Sequence, residues 1–329
     1  MKRILLGSLA TLTLLGSALA SPAAASMAKE KVGGHDCRSS ANARVMKGTS
    51  KWRDPNTLTR KQAAAMDTQT RSILNHSGIR TGLRPNGSVK IQVHFHGITD
   101  KGGHGFVSKA RFQAQIKVLN NAYGGRTGPQ AADTPFRFRL ASIDRRKNNG
   151  WYNASAFTQQ GNAKLREMRR KLRVGDARDL NLYTVGPKFG LLGFATFPGS
   201  YNKYPKLDGS VLLNASLPGG NANFGPGAVY NQGDTATHEI GHWLNLYHTF
   251  QGSCSRLNDY VTDTPRQFGG NNIFVCDPTL NTCPPFGSKS KDPVKNFMNY
   301  VDDPCMNQFT RGQRDRMNTA WFIRLAVST

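Results

Sequence analysis

The chain has 329 residues, 38% of them hydrophobic, which supplies a sizeable core and argues against disorder over most of its length. Lys and Arg total 44 against 20 Asp and Glu, a formal net charge of +24 that favours anionic surfaces. No base-reading module accompanies that charge, so no specific nucleic-acid partner is expected. Beyond the N-terminus no apolar run reaches the roughly 20 residues that a membrane span needs.

Lys2 and Arg3 precede an apolar stretch over 4–19, and small residues follow at Ala18, Ala20, Ala23 and Ala25. This is the pattern of a secretory signal peptide over residues 1–25, with cleavage expected after Ala25 because Pro22 disfavours the earlier site. An uncleaved anchor is the alternative. Residues 26–84 are polar and basic, with 12 Lys and Arg against 4 Asp and Glu, and are expected to form a pro-segment. The run from Asn56 onward predicts a capped helix, and Arg71, Arg80 and Arg84 mark a stretch that looks cleavable.

From residue 85 to 329 the texture is that of a folded domain. Residues 88–98 alternate as a strand, with His94 and His96 on one face; ordinary strand positions are the preferred reading for both. A helix is predicted over 108–122, a strand over 136–143, a basic helix over 163–172, and short strands over 180–185 and 210–215. After residue 249 regular periodicity fades until a final helix over 310–325. The expected fold class is therefore α+β, a twisted mixed sheet with helices followed by an irregular C-terminal subdomain.

Cys254, Cys276, Cys283 and Cys305 crowd the last quarter, whereas Cys37 stands alone. Export permits disulfides, and four cysteines allow three pairings that spacing cannot separate.

His238 and His242 lie four apart, so on a helix their imidazoles share a face and can hold one metal ion. Asp234 is placed to cap that helix. Glu239 follows the first ligand and suits a general base acting on metal-bound water. His248 lies six residues beyond His242, so the helix must end and the chain turn back for it to join them. Asn245 is the residue between them most tolerant of the required left-handed backbone. Three neutral imidazoles with one open position form a catalytic zinc site.

At these residues the chain resembles the metzincin zinc endopeptidases, and within them the pappalysin family, in its cytophagalysin-like bacterial branch. The matching pieces are His242-Trp-Leu-Asn-Leu-Tyr-His-Thr-Phe250, Asp263-Thr-Pro265, Asn296-Phe-Met-Asn-Tyr300, Cys305-Met-Asn-Gln-Phe-Thr310 and Gly193-Phe-Ala-Thr-Phe-Pro198. The likeness covers roughly residues 88–325; Asn245 departs from it, standing where the family has Gly. It implies a metzincin-like fold with a disulfide-bridged C-terminal subdomain, Met298 as a hydrophobic floor under the zinc, and Tyr300 beside the metal. It also implies bridges Cys254–Cys283 and Cys276–Cys305, and an unpaired strand edge near residue 193 that holds substrate. Asp259, Thr262 and Asp263 offer oxygens to calcium or simply form a solvated turn. Cys37 is either a free thiol or a zinc ligand that keeps a zymogen latent.

The expected activity is that of a secreted zinc endopeptidase made as a zymogen, a monomer acting on protein or peptide substrates. Association with anionic cell-wall polymers follows from the charge alone. The rival reading is a secreted, basic wall-binding or adhesive protein with a structural metal site, which would not need Glu239.

Overall fold

Apolar alternation over 88–98 and 136–143 and short apolar runs farther along the chain build most of one six-stranded sheet, seen in a computed structural model that describes residues 41–48, 58–78, 82–186, 190–284 and 290–327. The expected signal peptide and Cys37 lie outside these residues. In chain order the strands are β1 (Ala41–Val45), β2 (Val89–Thr99), β3 (Phe136–Lys147), β4 (Leu180–Val185), β5 (Leu191–Thr196) and β6 (Ser210–Leu213). The helices are α1 (Arg60–His76), α2 (Lys109–Ala122), α3 (Asn149–Tyr152), α4 (Gln159–Leu172), α5 (Asp234–Trp243) and α6 (Arg311–Ala326).

Across the sheet the strands run β1-β5-β6-β4-β2-β3. β2, β3, β4 and β6 pair in parallel, while β5 is antiparallel to both β6 and β1. The sheet is thus mixed, as expected for the metzincin-like fold. Helices cover both faces, which is why β4 and β5 are buried along their whole length. On one side Phe95 and Leu182 meet Phe112 and Leu119 of α2 and Ala236, Ile240 and Trp243 of α5. On the other, Tyr183, Phe194 and Val211 meet Trp151 of α3 and Leu165 and Met168 of α4. The outer strand β3 ends in exposed Arg145, Arg146 and Lys147, charges that discourage edge-to-edge pairing.

α1 forms as a capped helix, as expected: the Thr59 side chain accepts from Gln62 N while Gln62 reciprocates. One local expectation needs correction. The helix at 234 is not capped by Asp234: its N-cap is Gly233 at φ 100°, with no side-chain cap. A distant carboxylate replaces that cap, because Asp303 Oδ2 accepts the backbone N–H of Gln232 at 2.8 Å and of Asp234 at 3.4 Å.

Beyond α5 the chain is irregular and held by the bridges Cys254–Cys283 and Cys276–Cys305, with Cα separations of 5.4 and 6.0 Å. α6 returns to the core and latches the end of α5. Arg324 Nη2 donates to Trp243 O at 2.9 Å, Nη1 donates to Asp208 Oδ2 at 3.1 Å, and the guanidinium lies 3.4 Å from the Trp243 ring centroid. Among the described residues no helix is long and apolar enough to cross a membrane.

Candidate active site

Helix α5 carries His238, Glu239 and His242, all buried. It stops in a Schellman motif: Leu246 N donates to Gly241 O and Asn245 N to His242 O, both at 2.8 Å. Asn245 takes φ 74° at the position where Gly is usual. Its conformation is braced from outside, since Arg316 Nε donates to Asn245 O at 2.8 Å and Asn245 Nδ2 reaches Thr70 Oγ1 at 3.4 Å. The reversal returns His248 to the two helical histidines.

The three Nε2 atoms lie 3.1–3.2 Å from one another. His238 Nδ1 lies 2.6 Å from Phe297 O and His242 Nδ1 2.7 Å from Leu246 O, contacts in which only the imidazole can donate. Their Nε2 atoms are therefore bare lone pairs facing one another. Burial pushes His238 well below the usual histidine range, and pushes His242 down to about 3, so both rings are neutral. These two lone pairs converge with the Nε2 of His248 and favour a cation among them, and the separations suit one ion with Zn–N bonds of ~2.0–2.1 Å. Among the described residues these histidines form the group of His, Cys, Asp or Glu donors that converges on one point. The metal implied is zinc.

Met298 is buried directly under the helix, where a Cβ on Gly241 would collide with its Sδ. Tyr300 is buried with its ring centroid 4.7 Å from His248 and 5.9 Å from His238. β5 crosses above Glu239 so closely that a Cβ on Gly193 would come within 2.9 Å of Glu239 Cγ.

The edge of β5 is not unpaired. β1 lies antiparallel along it, with Arg44 opposite Gly193. The Arg44 backbone N–H donates to Glu239 Oε1 at 3.0 Å. Its guanidinium is fully buried: Nη1 donates to Asp303 Oδ1 at 2.8 Å and Thr235 Oγ1 at 3.0 Å, and Nη2 donates to Val301 O at 2.7 Å. The Tyr230 ring lies 5.2 Å from its Cζ. Sequence reasoning missed this pocket entirely. Its one local signal was the acid pair Asp302-Asp303 just after Tyr300.

Other candidates sit elsewhere. His94 Nδ1 pairs with Ser142 Oγ at 2.7 Å, and His96 Nε2 with Asn181 Oδ1 at 3.0 Å, so both are strand residues with protein partners. Asp263 accepts from Thr310 Oγ1 and Gly312 N at the head of α6, and Thr262 is exposed. Asp259 is buried against Val261 N instead. Nothing among the described residues supports calcium here.

A model of the family Peptidase M43, described as pregnancy-associated plasma protein-A, matches residues 224–321. An extracellular metalloprotease of Colletotrichum graminicola is 39% identical over 253 residues, covering 74% of this chain and 80% of that protein. Tannerella forsythia mature mirolysin, solved with a cleaved peptide, is 26% identical at a TM-score of 0.57, covering 74% of this chain and 100% of that one. A promirolysin variant from the same bacterium shares the fold, with a TM-score of 0.61, 24% identity and coverage of 82% and 93%. The relatives are fungal and bacterial, so they identify the family rather than a branch of it. With its three-histidine centre, this chain belongs to the Peptidase M43 or pappalysin family and is a metalloendopeptidase.

Proposed function

We propose that this metalloendopeptidase is secreted as a zymogen and hydrolyses peptide bonds with zinc on His238, His242 and His248 and with Glu239 as general base. The observation that carries the reading is the 3.0 Å hydrogen bond from the Arg44 backbone N–H to Glu239 Oε1, made by a strand laid along β5. A base that takes a proton from water must deliver it to the leaving amide nitrogen, and Glu239 reaches a backbone nitrogen at that distance.

Bound zinc supplies Lewis acidity at the reacting carbonyl and water. β5 holds the peptide extended through backbone hydrogen bonds. Tyr300, stacked edge-on to His248, donates its phenolic hydrogen to the developing oxyanion. Asp303, Thr235 and Val301 O receive the side chain that follows the cut bond. A buried carboxylate there favours a basic side chain, so peptides with Arg in that position are the preferred substrates.

Secretion is supported by the pattern of residues 1–25 and by a relative named extracellular. Latency is supported by β1 lying across the site, with Cys37 a few residues upstream as the zinc-blocking thiol. The enzyme acts as a monomer, and its positive charge favours retention on anionic wall polymers. The test is cleavage of unfolded casein by the processed protein, abolished by a zinc chelator and restored by zinc. A protein that holds zinc but cuts no unfolded substrate would overturn the reading.

A further inference from the structure

Arg71, Arg80 and Arg84 are the basic sites at which composition would end a pro-segment. The packing of α1 argues against them. Asp67 accepts from Arg316 Nη1 at 3.0 Å, and the same guanidinium donates to Asn245 O. Tyr247 donates its hydroxyl to Ala63 O at 3.2 Å, and Thr70 Oγ1 takes Asn245 Nδ2. α1 therefore clasps the turn that places His248. Arg71 lies inside that helix, and Arg84 N is itself bonded to Asn318 Oδ1 of α6 at 3.2 Å. Loss of α1 would release the backbone that brings the third imidazole to the other two.

β1 offers a different bond. Arg44 N is the atom within reach of Glu239, and the Arg44 guanidinium fills the Asp303 pocket. The bond ending at that nitrogen is Ala43–Arg44. We propose that Ala43–Arg44 is the bond this active site cuts in its own chain, and that residues from Arg44 onward, α1 included, stay in the mature enzyme. The proposal rests on the endopeptidase reading. Water is the co-reactant: its oxygen bonds to the Ala43 carbonyl carbon, and one of its protons passes through Glu239 to Arg44 N. The C–N bond breaks and the second water proton also ends on that nitrogen, leaving a carboxylate on Ala43 and an ammonium group on Arg44.

The experiment incubates the zinc-loaded full-length protein and reads its new N-terminus by intact mass and N-terminal sequencing, with casein cleavage followed in parallel. Arg44 is the expected N-terminus, and Glu239→Gln protein is expected to stay uncut. Asp303→Asn should slow the cut by about tenfold or more, because the pocket loses its partner for a buried cation. A second readout needs no enzyme activity. In folded Glu239→Gln protein, added trypsin should cut after Arg44 at least about tenfold more slowly than in the urea-unfolded chain, because that guanidinium is enclosed. Active protein that begins after Arg71, Arg80 or Arg84, or that cuts casein with Ala43–Arg44 intact, overturns this proposal and leaves the enzyme reading standing. Zinc-loaded protein that cuts neither casein nor itself overturns both.

Discussion

Asp303 serves two elements at once: Oδ1 binds the Arg44 guanidinium at 2.8 Å, and Oδ2 receives the backbone N–H groups at the head of α5. The helix that carries two histidines and Glu239 is thus anchored by the carboxylate that forms the floor of the adjoining pocket. Occupancy of the pocket and placement of the helix share one side chain.

Replacing Asp303 by Asn keeps its shape and one acceptor but removes the charge facing Arg44. Breaking a buried pair costs about 3–5 kcal/mol when the remaining charge has no other partner. Thr235 and Val301 O still hold the guanidinium, so the unprocessed protein should lose about 3 kcal/mol, measured by urea unfolding. In the processed enzyme the preference for Arg over Leu after the cut bond should fall at least about tenfold in kcat/KM. Unchanged preference would remove Asp303 from substrate selection.

Asn245 at φ 74° predicts a specific order among substitutions. Gly should be tolerated within a few tenths of a kcal/mol, since it favours this backbone and loses only the contact to Thr70. Val should cost about 1–2 kcal/mol or more, because a β-branched residue clashes in the left-handed region. Thermal unfolding and zinc titration of the two variants check this. Val tolerated as well as Gly would mean that the turn relaxes without consequence.

Arg316 touches Asn245 O, Asp67 and the face of Tyr247, whose ring centroid lies 4.7 Å away, but touches no ligand histidine. Arg316→Ala should weaken zinc binding by about 10- to 100-fold, the range seen when outer partners of a metal site are removed. Competition with a chromophoric chelator measures this directly. Undiminished affinity would show that α1 and α6 do not brace the turn.

Burial holds the Asp259 carboxyl up at about 8, with Arg316 acting in the opposite sense. An unfolded Asp releases its proton near ~4. Between those values the folded chain binds more protons than the unfolded one, so this group's contribution to stability falls as pH rises. Asp259→Asn should remove that decline and gain stability relative to the parent from pH 5 to 8, read from urea midpoints. A stability difference that stays flat over that window, or that appears only after calcium is chelated, would contradict the assignment.

The catalytic helix was legible because its chemistry is local: histidines at i and i+4, and an Asn able to take a left-handed turn before His248. Strands β2, β3 and β4 were legible from alternation or apolar runs, and both bridges from family resemblance. β1 was not. Ala41–Val45 carries no strand pattern, and its partner β5 lies about 150 residues onward, joined by backbone pairing that depends on tertiary fit. Arg44 and Asp303 are 259 positions apart, so no spacing rule connects them. The cap of α5 was misassigned for a related reason: the nearest acid in sequence, Asp234, turns to Thr237, while a distant one meets the free N–H groups.

The most direct test of the enzyme reading is a paired measurement on Glu239→Gln protein: zinc per chain by elemental analysis, and casein cleavage. The imidazoles remain while the proton carrier is gone, so zinc should stay near the parent's level and cleavage should fall by at least about a hundredfold. Cleavage close to the parent's rate would contradict the base assigned to Glu239. Loss of the zinc would instead make Glu239 part of the metal's support.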